Sequence, residues 1–179
     1  VRWFNALLLI IGLTVYAGGV VAGSTRVVVP IGEAAAVNFQ INAEGPTEYG
    51  IPVIIQARLS VIEALRSAPA WELLHTADPT NVPPVAGFEY LLLRVRISGE
   101  GSGTTRTPYQ VQAEHFRIFD AANQPYPTPA VRLPGPALID ARIYPNDISE
   151  GWLVFLIDRK DQHPEMFFFS GQWFQIVEE

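Results

Sequence analysis

Residues 88–97 read FEYLLLRVRI, and this stretch decides the fold class. Phe88, Tyr90, Leu91, Leu92 and Leu93 place apolar groups on both faces of an extended chain, and Arg94 and Arg96 then turn one face polar. A strand covered on both sides over part of its length belongs inside a sheet. Upstream, Ile51, Val53, Ile55, Ala57, Leu59 and Val61 alternate with Pro52, Gln56, Arg58 and Ser60. That period of two marks a half-buried strand, although Ile54 and Ile62 interrupt its polar side. Downstream, Tyr109, Val111 and Ala113 alternate with Gln110, Gln112 and Glu114. Phe116 and Ile118 then lead into a turn over residues 120–123, where Asn123 suits a positive φ. Residues 138–144, 152–157, 166–169 and 172–177 supply further strands, and 27–29 and 37–41 weaker ones.

Prolines at 125, 127, 129, 134, 136 and 145 exclude a long helix from the middle of the chain. One helical turn fits residues 67–75, where Ala70, Leu73 and Leu74 follow Pro69. About seven to nine short strands with turn clusters between them predict an all-β, immunoglobulin-like antiparallel β-sandwich. Leu91, Leu93, Trp152 and Phe155 are expected in its core.

The other end of the chain is different in kind. Residues 3–25, WFNALLLIIGLTVYAGGVVAGST, carry no charge. As a helix, residues 3–23 measure about 31 Å, enough to cross the hydrocarbon of a bilayer. Trp3 and Arg2 stand where a ring and a cation meet headgroups. A cleaved signal peptide is the rival reading, with small residues near Val20, Val21 and Ala22. The apolar run exceeds an ordinary signal core, which favours a retained transmembrane anchor over residues 1–24 and one sandwich domain over 25–179. The formal charge is −6, and Arg2 is the one charged residue of the anchor, so the domain is more acidic still. A short N-terminus and an acidic domain favour the extracytoplasmic side of a cell membrane.

Composition excludes several chemistries. The chain of 179 residues has no Cys, so disulfides, thiolate metal sites and a thiol nucleophile are ruled out. Eighteen acidic against 12 basic residues argue against nucleic acid as a partner. His75, His115 and His163 lack helical metal spacing, and residues 163–166, HPEM, offer only one imidazole and one thioether to copper. Gly99, Gly101 and Gly103 follow a strand, but residues 104–108, TTRTP, cannot open the helix that a phosphate loop needs. Asp140, Asp147, Glu150 and Asp158 are expected as solvated charges, the first and last on separate strands and the middle pair in a turn. No catalytic residue, cofactor or metal site is predicted.

Three segments resemble a known family. Residues 81–97, NVPPVAGFEYLLLRVRI, resemble the Pro-Pro-x-x-Gly-x-x-Tyr start of a central strand in telokin-like, immunoglobulin-fold extracellular domains of unknown function. Residues 116–126, FRIFDAANQPY, are similar to that family's hairpin, with Asn123 where Gly is commoner. Residues 148–157, ISEGWLVFLI, are similar to its Gly-Glu-x-x-x-Gly-Trp-x-x-Phe strand, with Asn146-Asp147 at the opening Gly-Glu. The resemblance covers about residues 32–177. It implies a membrane-attached or secreted β-sandwich and brings no catalytic residues.

Two function classes follow. One is a non-enzymatic, single-span accessory subunit whose sandwich packs on the extracytoplasmic face of a larger membrane complex. The other is a stand-alone surface protein that binds a ligand or adheres. For the subunit, the bilayer and other subunits are the partners. Gly12, Gly19 and Gly23 recur at intervals of seven and four and would admit a neighbouring helix. Phe167, Phe168 and Phe169 place large rings on both faces of one strand, so at least one ring faces away from the core. Trp71 and residues 79–84 add apolar surface, and a fold of the 120s–130s loop over the aromatic strand is the alternative to a partner.

Overall fold

A computed structural model of the chain describes residues 27–42, 52–100, 108–120 and 122–176. The elements run β1 (Val28–Val29), β2 (Ala34–Asn42), β3 (Pro52–Arg66), α1 (Ser67–Ala77), β4 (Phe88–Glu100), β5 (Tyr109–Gln110) and a 3-10 turn (Ala113–His115). They continue as β6 (Phe116–Phe119), β7 (Arg142–Ile143), β8 (Ile148–Asp158), β9 (Glu165–Phe168) and β10 (Gln172–Gln175). The larger sheet has the order β2-β3-β4-β8 and is antiparallel throughout. The smaller has the order β1-β10-β9-β6, antiparallel except for β1 beside β10. A two-strand ladder of β5 and β7 completes the set.

The two sheets face each other, so the protein is an all-β, predominantly antiparallel sandwich. Leu91, Leu93, Val95 and Ile97 of the larger sheet share one core with Ile118, Met166, Phe168 and Phe174 of the smaller. The double apolar face of residues 88–97 has a direct cause. Tyr90 and Leu92 point outward into a second core made with Ala70 and Leu74 of α1 and Val154 of β8. Val131 and Leu133 also pack there, so the proline-rich 120s–130s segment covers the larger sheet instead of the aromatic strand β9. Its backbone is tied down by Leu156 N–H donating to the Pro127 carbonyl and Trp152 N–H to that of Pro136.

Several elements differ from the sequence reading. The helical turn is a full helix of 11 residues, because Ala70 and Leu74 gain a buried sheet face to rest on. The alternation from Tyr109 to Ala113 breaks after Gln110, since Gln112 and His115 cap each other's backbone and draw residues 113–115 into a 3-10 turn. Residues 138–144 form only the two-residue β7, with Asp140 at φ 69 bending the chain just before it. Ile62 interrupts the polar side of β3 because a bulge falls between Val61 and Glu63. Asn123 sits at φ 60, in the left-handed region that its turn needs.

The anchor over residues 1–24, with Gly12, Gly19 and Gly23, lies outside the described residues, as does most of the glycine loop at 99–103. Among the described residues no helix is long and apolar enough to cross a membrane.

Candidate functional site

Strand alternation sorts the aromatic residues of the smaller sheet. In β9, Met166 and Phe168 are fully buried between the sheets, while Phe167 points outward and is half-buried. In β6, Phe116 and Ile118 point inward, so Arg117 and Phe119 point out. In β10, Phe174 is inward and Trp173 outward. The three outward rings touch: Phe167 and Trp173 at 4.9 Å between centroids, Phe119 and Trp173 at 5.6 Å, Phe119 and Phe167 at 6.2 Å. Phe169 falls just past the end of β9 and is 42% exposed, with its ring over His115 at 4.6 Å and Phe39 at 6.3 Å. Of the three phenylalanines at 167–169, therefore, Phe168 is core, Phe167 belongs to the outer sheet face, and Phe169 caps one end.

Trp71 lies on the opposite side of the molecule. Its ring is half-buried, stacked on Tyr90 at 6.2 Å and on His75 at 5.1 Å, and it packs against the second core. Val82 and Val85 nearby are exposed at 65% and 60%. Leu91, Leu93 and Phe155 are buried, and Trp152 is half-buried under the proline-rich segment.

Beside the aromatic face a cleft of about 600 Å³ lies between the turn after β6 and the turn after β8. Phe119, Tyr126 and Trp173 form part of its wall, with Asp120, Asp158 and Asp161 around them. These carboxylates hold the turns. Asp120 Oδ1 accepts from the N–H of Ala122 and Gln124 at 2.9 and 2.7 Å. Asp158 Oδ1 accepts from Lys160 N–H at 2.8 Å, and Asp161 Oδ1 from His163 N–H at 3.2 Å. Tyr126 donates to Asp161 Oδ2 at 3.0 Å, and burial together with this bond pushes its phenol up to about 12. Lys160 and His163 also line the cleft, so its wall mixes carboxylates, an ammonium, an imidazole and rings.

The other chemical candidates separate in space. Met166 is buried and His163 exposed, so the HPEM segment does not present both donors to one ion. Glu150 is not in a turn. It lies in β8, paired with Arg94 and, at 2.8 Å, with Arg96, and its hydrogen bond from Arg96 lowers its pKa. Asp158 ends the same strand about 27 Å away. Asp140 accepts from Gln110 Nε2 at 3.0 Å. Among the described residues no group of three or more His, Asp or Glu side chains could hold a metal ion. No family model, no curated protein and no solved structure matches the chain.

Two polar clusters were not legible in the sequence. Glu89 is 3% exposed and accepts from Arg66 Nε at 2.7 Å and from the Ser67 hydroxyl, which fastens the start of α1 to β4. Gln112 N–H donates to His115 Nδ1 at 3.0 Å, and the Tyr109 hydroxyl lies 2.5 Å from the same nitrogen and 3.1 Å from Nε2. Only a neutral imidazole can accept there. Burial correspondingly lowers the His115 pKa, opposed by the Glu114 carboxylate, and burial raises the Tyr109 phenol. The first cluster joins neighbouring strands more than twenty residues apart, where no local spacing rule operates. The second is local, and is closed by the 3-10 turn that Gln112 and His115 cap.

Proposed function

We propose that the protein is a non-enzymatic accessory subunit, held in a membrane by residues 1–24, whose immunoglobulin-like sandwich packs on the extracytoplasmic face of a larger membrane complex. One observation carries this reading. The uncharged apolar stretch 3–25 is followed after two residues by β1, an edge strand of the sandwich, so one polypeptide joins a span-length apolar segment to a compact β-domain. The exposed Val82 and Val85, beside Trp71, supply apolar surface for a neighbouring protein on the far side from β1. Gly12, Gly19 and Gly23 supply a helix surface on which a neighbouring span can pack closely.

The experiment is purification of the full chain from its native membrane in mild detergent, with identification of what migrates with it and intact-mass measurement. A stoichiometric set of membrane proteins and a mass that includes residues 3–23 support the subunit. An N-terminus near Gly23 means a cleaved signal and overturns the anchor. A retained anchor with no companion protein turns the reading toward the stand-alone binder.

A further inference from the structure

The outer face of the smaller sheet carries a row that the strand order assembles. Val28 of β1 is the register partner of Trp173, Trp173 of Phe167, and Phe167 of Arg117. A cation, two aromatic rings and an aliphatic residue thus lie side by side across four strands, with Phe119 filling in beside the rings. None of the three rings is part of either core. The outer face of the larger sheet is unlike it. There α1 and the proline-rich segment cover one part, and the rest carries the ion pairs Arg58–Glu100, Arg94–Glu63 and Arg96–Glu150. The larger sheet's uncovered part pairs its charges, with Ile54 and Ile148 exposed among them, whereas the smaller sheet's outer face presents rings half-buried against one another.

We propose that the Arg117–Phe167–Trp173–Val28 row, with Phe119, rests in the headgroup zone of the lipid bilayer. The proposal rests on the reading of residues 3–23 as a retained anchor. Where the chain leaves that stretch fixes the distances. Four residues separate Gly23 from Val28, and the five Cα steps reach at most about 18 Å. Neighbouring strands are about 4.8 Å apart, so Arg117 lies about 15 Å from Val28 across the sheet. The Val28 end of the row is therefore held within about 18 Å of the point where the chain leaves the bilayer, and the Arg117 end within about 33 Å. Tethering makes the contact intramolecular, so weak affinity per ring suffices.

The chemistry matches that position. Indole and phenyl rings settle at the level of the headgroups, and the Arg117 guanidinium can donate to lipid phosphate. Asp120, Asp158 and Asp161 stand in the adjoining cleft, so an anionic surface would repel this end of the domain. Ring burial drives the contact, and it is made with zwitterionic lipid.

The chain has no Cys, so single cysteines report cleanly. Full-length Arg117→Cys and Arg58→Cys, each labelled with a fluorophore, are reconstituted into phosphatidylcholine vesicles carrying a nitroxide at headgroup depth. Both sites are exposed, and circular dichroism checks that each variant keeps its strands. Quenching at 117 is expected to be several-fold greater than at 58, in a chain that resists carbonate extraction. Equal quenching in a carbonate-resistant chain overturns the lipid contact and leaves the anchor standing. Release by carbonate overturns the anchor and the contact together. Shielding of 117 in native membranes but not in protein-free vesicles assigns the face to a protein and overturns the lipid contact.

Discussion

Phe167 and Phe168 are adjacent in β9 and have opposite surroundings. Phe168 is fully buried, with Phe39 edge-on at 5.7 Å and Phe116 at 5.2 Å, whereas Phe167 looks outward. Phe168→Ala is expected to cost about 3–5 kcal/mol through lost burial and a cavity. Phe167→Ala is expected to cost about 1 kcal/mol or less, as for substitutions away from the core. Urea unfolding of the two variants in the same detergent measures the difference. Reversed costs would mean that β9 is turned over by one residue. His115 gives a pH dependence of known sign. The unfolded ring takes a proton at its ordinary 6.5, while the folded ring resists until a lower pH. Protons therefore favour the unfolded chain. The contribution is present above pH 6.5 and is lost as pH falls from there through the folded value. Melting temperature should drop between pH 7.5 and 5.5 by more in the wild type than in His115→Gln.

At the scale of elements, each of the two covers of the larger sheet has one position where a single substitution tests its attachment. The proline-rich segment lies against Gly151 of β8, where an added Cβ would stand 2.6 Å from Leu138 N and 2.7 Å from the Pro136 carbonyl oxygen. Gly151→Ala must push this backbone off the sheet, at about 1–3 kcal/mol. Its signature in hydrogen exchange is faster exchange at Leu156 and Trp152, whose N–H groups donate to the segment. The start of α1 is fastened by Glu89, which lies within the sheet between Phe88 and Tyr90. Glu89→Ala leaves the Arg66 guanidinium, itself only 21% exposed, without its carboxylate. The expected loss is about 3–5 kcal/mol. Exchange should rise first along Ser67–Ala77. Uniform exchange over all strands at the same denaturant concentration would show that α1 is not a separate unit.

For the whole molecule, the two cores both lie within residues 27–176 and draw on distant parts of the chain, so the sandwich should fold without its N-terminal stretch. Residues 25–179 expressed alone are expected to unfold in one cooperative transition with a melting temperature close to that of the full chain. A broad or absent transition would make the apolar stretch part of the fold itself. On the proposed reading of residues 1–24 as an anchor among other spans, Gly19→Leu is expected to loosen the full chain's association with its membrane partners while this melting temperature stays put, because both cores lie within residues 27–176. Native electrophoresis reads the first effect and calorimetry the second.

Period-two alternation was enough to establish the all-β class and to place Leu91, Leu93 and Phe155 on an inward face, because adjacent residues of a strand must point to opposite sides. Span length and absence of charge mark residues 3–23 as the proposed anchor, since both are properties of a continuous segment, and those residues lie outside the described structure. Register is different. That Val28, Trp173, Phe167 and Arg117 form one row depends on β1 pairing with β10, and β6 with β9, across more than 140 and about 50 residues of chain. The same holds for the cover over Tyr90 and Leu92. Their apolar side required something to lie on it, but only the packing of α1 and of residues 131–133 determined what. Local sequence sets which way a side chain faces. Long-range pairing, which minimises exposed apolar area over the whole chain at once, sets what it meets there.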